Sequence, residues 1–145
     1  MSTLERAIAI ACEAHEGNVD KAGAPYILHP LRVMLRMDST HERIVAVMHD
    51  VVEDNEQWTL RRLKEEGFEQ DIVDAIDALT KRDGETYMEF IRRVSRNIIG
   101  RKVKLADLED NMNVMRIGNL TEKDTQRIDK YHRAWTELQK EVKFD

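Results

Sequence analysis

The chain has 145 residues, enough for one domain with its own core and too few for two ordinary ones. Hydrophobic residues make up 41% and charged residues 35%, the balance of a soluble globular protein, and no apolar run approaches the roughly 18 residues that a membrane span requires. The formal net charge of −5 argues against a nucleic-acid partner gripped through neutralised phosphates, and leaves room for a small anionic ligand held by local cations.

From the N-terminus, MSTLERAIAIACEAHEG has no basic start followed by an unbroken apolar block, so a cytoplasmic protein is expected. Leu4, Ile8 and Ala11 recur at helical spacing. Cys12 is the only cysteine, which rules out a disulfide framework or a thiolate cluster and restricts any metal to nitrogen and oxygen ligands. Gly17 to Pro25 is the one long turn-rich segment and reads as a loop. Helical spacing returns in Ile44, Val45 and Met48, in Ile72, Val73, Ile76 and Leu79, in Phe90, Ile91 and Val94, and in Ile128, Trp135 and Leu138. Ser39 before Glu42, Thr86 before Glu89 and Thr121 before Asp124 are capping-box patterns that predict helix starts near 40, 87 and 122, while Gly67 and Gly84 mark stops. Strand-like alternation is missing. The expectation is an all-α fold, a compact bundle of about seven helices forming a single domain over residues 1–145.

Most side chains need no further explanation. Cys12, Trp58 and Trp135 read as packing residues, the methionines as core fillers, His41 and His132 as surface positions, and His15 as a hydrogen-bonded structural residue. Thr80 and Lys81 read as a helix end.

The run His49-Asp50-Val51-Val52-Glu53-Asp54 is different. At the end of the apolar helix that starts near 40, Glu53 lies one turn beyond His49 and Asp54 one turn beyond Asp50, and carboxylates this close repel unless a cation sits among them. His29, directly after the loop, and Asp107 also stand in apolar surroundings, and an Asp on an apolar helix face is costly to bury without a partner. Asn111 shares the face of Asp107. Two imidazoles and two carboxylates suit a divalent ion such as manganese, iron or zinc, with positions left for water and a phosphate oxygen.

This order of residues resembles the HD superfamily of metal-dependent phosphohydrolases, whose name matches His49 and Asp50. The runs AHEGNVDKAGAPYILHP, HDVVED, LTK at 79–81 and VKLADLEDNM, with Arg127, Tyr131 and Trp135 in the last helix, are similar to the hydrolase domain of the RelA/SpoT homologues, enzymes that degrade guanosine alarmones. The resemblance spans roughly residues 4–138, and at this length it is to the stand-alone small alarmone hydrolases, without a synthetase domain.

The resemblance implies an HD-type helical fold and a divalent metal, usually Mn2+ with Fe2+ or Zn2+ as alternatives, on His29, His49, Asp50 and Asp107. It implies that Glu53 and Asp54 handle the attacking water, and that Lys21, Asn111, Arg127 and Tyr131 bind a nucleotide phosphate substrate such as guanosine 3′,5′-bis(diphosphate), which loses pyrophosphate from its ribose 3′ position. The alternatives are another nucleotide or small phosphoester as substrate, or a non-catalytic nucleotide sensor. Neither nucleic acid nor membrane is expected as a partner, and oligomeric state is left open. The chain departs from the family at Asp20-Lys21, where an Arg-Lys pair is common and the arginine packs on guanine. A carboxylate there would repel a phosphate. It departs again at Asn111-Met112-Asn113-Val114, where the family often has a further polar pocket residue.

Overall fold

Helix starts follow the side chains placed to cap them. Thr3, Ser39, Thr59, Thr86, Asn97 and Thr121 each accept a hydrogen bond from the backbone N–H three residues on, which satisfies one of the donors that a helix leaves unpaired at its start. The computed structural model describes residues 2–140, apart from the side chain of Asp54. In chain order the helices are α1 (Leu4–His15), α2 (Leu28–Leu35), α3 (Thr40–Met48), α4 (Val51–Asp54), α5 (Leu60–Glu65), α6 (Gln70–Ala78), α7 (Tyr87–Ser95), α8 (Ile98–Asn111) and α9 (Glu122–Gln139), with a single 3-10 turn at Val114–Arg116. Among the described residues no strand forms, and the loop between α1 and α2 is pinched only by an isolated bridge between Val19 and Pro25.

The expected starts near 40, 87 and 122 are where α3, α7 and α9 begin. Reciprocal capping boxes form at Ser39 with Glu42 and at Thr121 with Asp124, whereas at Thr86 only the first half is made. Among the described residues nine α-helical segments replace the expected seven or so, because α4 and α5, of four and six residues, are too short to show a period. Gly67 does close α5: at φ 96 it lets its N–H reach Lys64 O at 3.0 Å and the Phe68 N–H reach Leu63 O at 3.3 Å, and Phe68 then packs inward with Leu63. Gly84 lies beyond the end of α6, in the turn before α7.

The core is organised around α3, whose residues Ile44, Val45, Ala46, Val47 and Met48 are all buried and which packs against α1, α2, α6 and α8. Burying Ile44, Val45, Val47 and Met48 stabilises the fold by about 1.5–3 kcal/mol each, so the end of α3 is held rigidly inside the bundle. That end is where His49 and Asp50 sit. Trp58 is 1% exposed, with the Arg62 guanidinium 3.7 Å from its ring centroid, and Trp135 is half-buried with Nε1 3.3 Å from Glu109 Oε1. Two packing expectations fail: Cys12 is exposed, and Met115, on the turn after α8, is 88% exposed. No described helix is long and apolar enough to cross a membrane.

Candidate functional site

The joint between α3 and α4 is made by a side chain competing with the helix ladder. His49 Nδ1 lies 2.6 Å from Ala46 O, the carbonyl that the Asp50 N–H would take if α3 continued, and the chain turns at Asp50 before α4 restarts at Val51. α3 and α4 are therefore separate helices, with His49 at the end of the first and Glu53 within the second. His49 is 2% exposed, whereas Glu53 is exposed. Asp54 ends α4, and its side chain lies outside the described residues.

Because a carbonyl can only accept, His49 Nδ1 carries the proton and Nε2 presents a lone pair. It faces Asp107 Oδ1 at 3.1 Å and Asp50 Oδ2 at 3.2 Å. From α2, His29 brings Nε2 to 2.7 Å from the same Asp107 oxygen, while its Nδ1 lies 2.6 Å from Asp110 Oδ2. One ligand atom from each of His29, His49 and Asp50 lies within 4.8 Å of the others. The four residues read in the sequence as a metal set thus form one cluster, with His29, His49 and Asp107 buried and Asp50 half-buried. A carboxylate facing two imidazole lone pairs needs protons or a cation between them. Without a metal, burial opposes charging His49, but Asp50 and Asp107 outweigh it and hold its pKa well above the ordinary imidazole value. Burial likewise pushes the Asp50 carboxyl up, and His49 with the hydroxyl of Tyr26 brings it down to about 2. A set of two imidazoles and two ionised carboxylates with fixed tautomers fits a divalent ion.

Sequence reasoning missed the residues that orient this cluster. Asp110, one turn beyond Asp107, holds His29 and is in turn held by Arg32 through bonds of 2.8 and 3.0 Å. Burial raises its pKa, yet the bonds from His29 and Arg32 win, and the carboxyl stays well below the carboxylate range. This is the carboxylate-histidine arrangement that fixes ligand orientation in metal sites. Lys104 Nζ, 2.9 Å from Asp107 Oδ2, and Tyr26, bonded to Asp50, play the same part for the carboxylates. Asn111 Nδ2 reaches Asp107 Oδ1 at 3.3 Å, as the shared face predicts. His15 does not make the expected hydrogen bond: both ring nitrogens are buried and unpartnered, and its ring stands edge-on to Tyr26 at 4.9 Å between centroids.

Next to the cluster lies a cleft of about 410 Å³, and Tyr26 and Asn111 belong to both. Its walls are the α1–α2 loop, the turn after α8 and the first turns of α9, and the four expected substrate contacts, Lys21, Asn111, Arg127 and Tyr131, all line it. Arg116, which the sequence did not single out, lines it too and is tied to Asp110 O at 3.1 Å. Burial, then Arg127, lowers the pKa of Lys21, as expected where cations crowd together. Arg127 is ion-paired with Asp124, and Val19, Val114, Ile117 and Ile128 supply an apolar side. Asp20 Oδ1 accepts from Ala22 N–H at 2.9 Å and Ala24 N–H at 3.0 Å, so this carboxylate holds the loop in shape.

No family model matches the chain. The chain is 35% identical over 130 residues to a probable GTP pyrophosphokinase of Mycobacterium leprae, and 33% identical over 136 residues to a guanosine-3′,5′-bis(diphosphate) 3′-pyrophosphohydrolase of Haemophilus influenzae. It is 29% identical over 140 residues to the bifunctional (p)ppGpp synthase/hydrolase SpoT of Escherichia coli. These matches cover 80, 83 and 86% of the chain, which spans only 16 to 20% of the length of those proteins. The resemblance to RelA/SpoT proteins seen in the motifs thus extends over most of the chain.

Proposed function

We propose, from this relationship to RelA/SpoT proteins, that the chain is a cytoplasmic metal-dependent phosphohydrolase working as one domain, which removes pyrophosphate from the ribose 3′ position of guanosine 3′,5′-bis(diphosphate). The observation that carries the reading is the convergence of His29, His49, Asp50 and Asp107 beside a cleft walled by Lys21, Arg116 and Arg127.

His29, His49, Asp50 and Asp107 would hold the ion, Mn2+ by preference with Fe2+ or Zn2+ as alternatives. Such an ion supplies a water of lowered pKa and polarises the attacked phosphate. Asp110 and the Ala46 carbonyl keep the imidazole Nε2 atoms aimed inward, so no ligand has to reorganise when substrate arrives. Glu53, an exposed residue, and Asp54 position the attacking water and take its proton. Lys21 and Arg127 hold phosphate oxygens, Asn111 donates an amide hydrogen bond, and Tyr131 contacts the nucleotide with its ring or hydroxyl.

Pyrophosphate release from guanosine 3′,5′-bis(diphosphate) with added Mn2+ tests the reading. Release by the wild type that is lost in Asp50→Ala and Asp54→Ala supports it, and a metal-loaded wild type that releases neither pyrophosphate nor phosphate from a panel of nucleotides overturns it. One observation favours a second reading, the same chemistry on another nucleotide: Asp20 is committed to the loop, and no arginine stands there to pack on guanine. Product analysis across the panel separates the two.

A further inference from the structure

Arg116 closes the 3-10 turn after α8, and local bonds hold that turn in shape: Asn113 Oδ1 accepts from the Met115 N–H at 3.1 Å, and Val114 O from the Ile117 N–H at 3.0 Å. Its guanidinium is tethered at one edge. Nη2 donates to Asp110 O at 3.1 Å, and Nη1 lies 3.6 Å from Asp110 Oδ1, an ion pair beyond hydrogen-bond length. That carboxylate is already engaged, because Arg32 holds its two oxygens at 2.8 and 3.0 Å and His29 Nδ1 lies 2.6 Å from Oδ2. Two guanidiniums therefore share one carboxylate, and of the two it is Arg116 that lines the cleft, with 33% of its side chain exposed.

A guanidinium stays charged and carries five N–H donors, of which Arg116 spends one on Asp110 O. The acids that line the same cleft do not use the others. Asp20 accepts from two N–H groups of its loop, and Asp124 pairs with Arg127 and completes the capping box of α9. A planar cation with donors to spare, held in place by its own turn and facing a cleft, suits the oxygens of a phosphate.

We propose that Arg116 is a further substrate-binding residue, whose spare donors take a phosphate oxygen of the nucleotide from the wall made by the turn after α8. The inference rests on the hydrolase reading and adds a residue that the sequence motifs do not mark. The phosphate belongs either to the leaving pyrophosphate or to the diphosphate at the ribose 5′ position, and the two products, pyrophosphate and guanosine 5′-diphosphate, carry one each.

The test is isothermal titration of each product into the Mn2+-loaded wild type and Arg116→Gln at equal free Mn2+, with Mn2+ affinity measured separately by electron paramagnetic resonance. The expected result is that one product binds about tenfold more weakly to the variant, the worth of a hydrogen bond to a charged group, and that product identifies the phosphate. Mn2+ affinity should not change, because Arg32 keeps both its bonds to Asp110. Equal affinities for both products, or no binding of either by the wild type, overturn the proposal. A fall in Mn2+ affinity overturns it too, since Arg116 would then be a strut for Asp110 and His29. Turnover separates the two claims: a wild type that hydrolyses guanosine 3′,5′-bis(diphosphate) while Arg116→Gln binds both products normally overturns the role of Arg116 alone. A wild type without turnover, whose product binding still weakens in Arg116→Gln, overturns the hydrolase reading and keeps the phosphate contact.

Discussion

The candidate metal cluster and the cleft touch each other and are built by opposite means. The cluster stands on the interior of three helices. His29 and Arg32 on α2 face Asp107 and Asp110 on α8, and His49 ends the buried helix α3, so every imidazole nitrogen of the pair has a partner and the proposed ligands His29, His49 and Asp107 are at most 4% exposed. The cleft is walled by the α1–α2 loop, the turn after α8 and the surface of α9, where Lys21, Arg116 and Met115 are exposed. Rigid packing fixes the chemistry, and loops on that scaffold set what enters, so changes in the loops alter recognition at little cost to the fold.

That contrast predicts a graded series of effects. The largest is His29→Ala, which removes a proposed ligand, leaves Asp110 buried without its imidazole partner and Asp107 with His49 alone, and should lower turnover about 1,000-fold or more with loss of bound metal. Asp110→Ala leaves all four ligands in place and should weaken Mn2+ binding about 10- to 100-fold, measured by metal titration. In the cleft, Asp20→Arg restores the charge of the family's usual residue and gives up the two bonds that shape the loop, so KM should rise about fivefold with kcat and metal affinity unchanged. A fall in KM would mean that the loop holds without Asp20.

The smallest effect belongs to a third region. Hydrogen bonds from Arg93, which also reaches Thr80 O at 2.8 Å, hold the Glu85 carboxyl down at about 2. A carboxyl depressed on folding from an unfolded value of about 4.3 adds stability above that pH, and the contribution fades as pH falls through about 2. Arg93→Met should therefore melt lower than the wild type at pH 7, the difference closing as pH falls from about 4.3 toward about 2, with kinetics unaffected.

The cluster was more legible in the sequence than the cleft, for a physical reason. His49, Asp50 and Asp107 are ionisable groups in apolar runs, and burial cost exposes them to any reading of the pattern. Helix starts at Ser39, Thr86 and Thr121 were legible because capping is local. Asp110 and Arg32 each lie one turn beyond a ligand, a visible spacing, but that the two pairs face each other is set by how α2 packs on α8. The break after His49 depends on a ring nitrogen winning Ala46 O from the backbone, which periodicity does not register. Asp20 carried its own signal, an Asp three residues before Gly23 in a turn, masked by comparison with the arginine that the family places there.

The most direct test of the account is to titrate Mn2+ into the wild type, Asp107→Ala and Arg127→Ala, with electron paramagnetic resonance as readout and KM for guanosine 3′,5′-bis(diphosphate) measured alongside. The account predicts one tight site in the wild type, its loss in Asp107→Ala, and full Mn2+ affinity in Arg127→Ala with KM raised about tenfold. Tight Mn2+ binding that survives Asp107→Ala would contradict the assignment of the metal to this cluster.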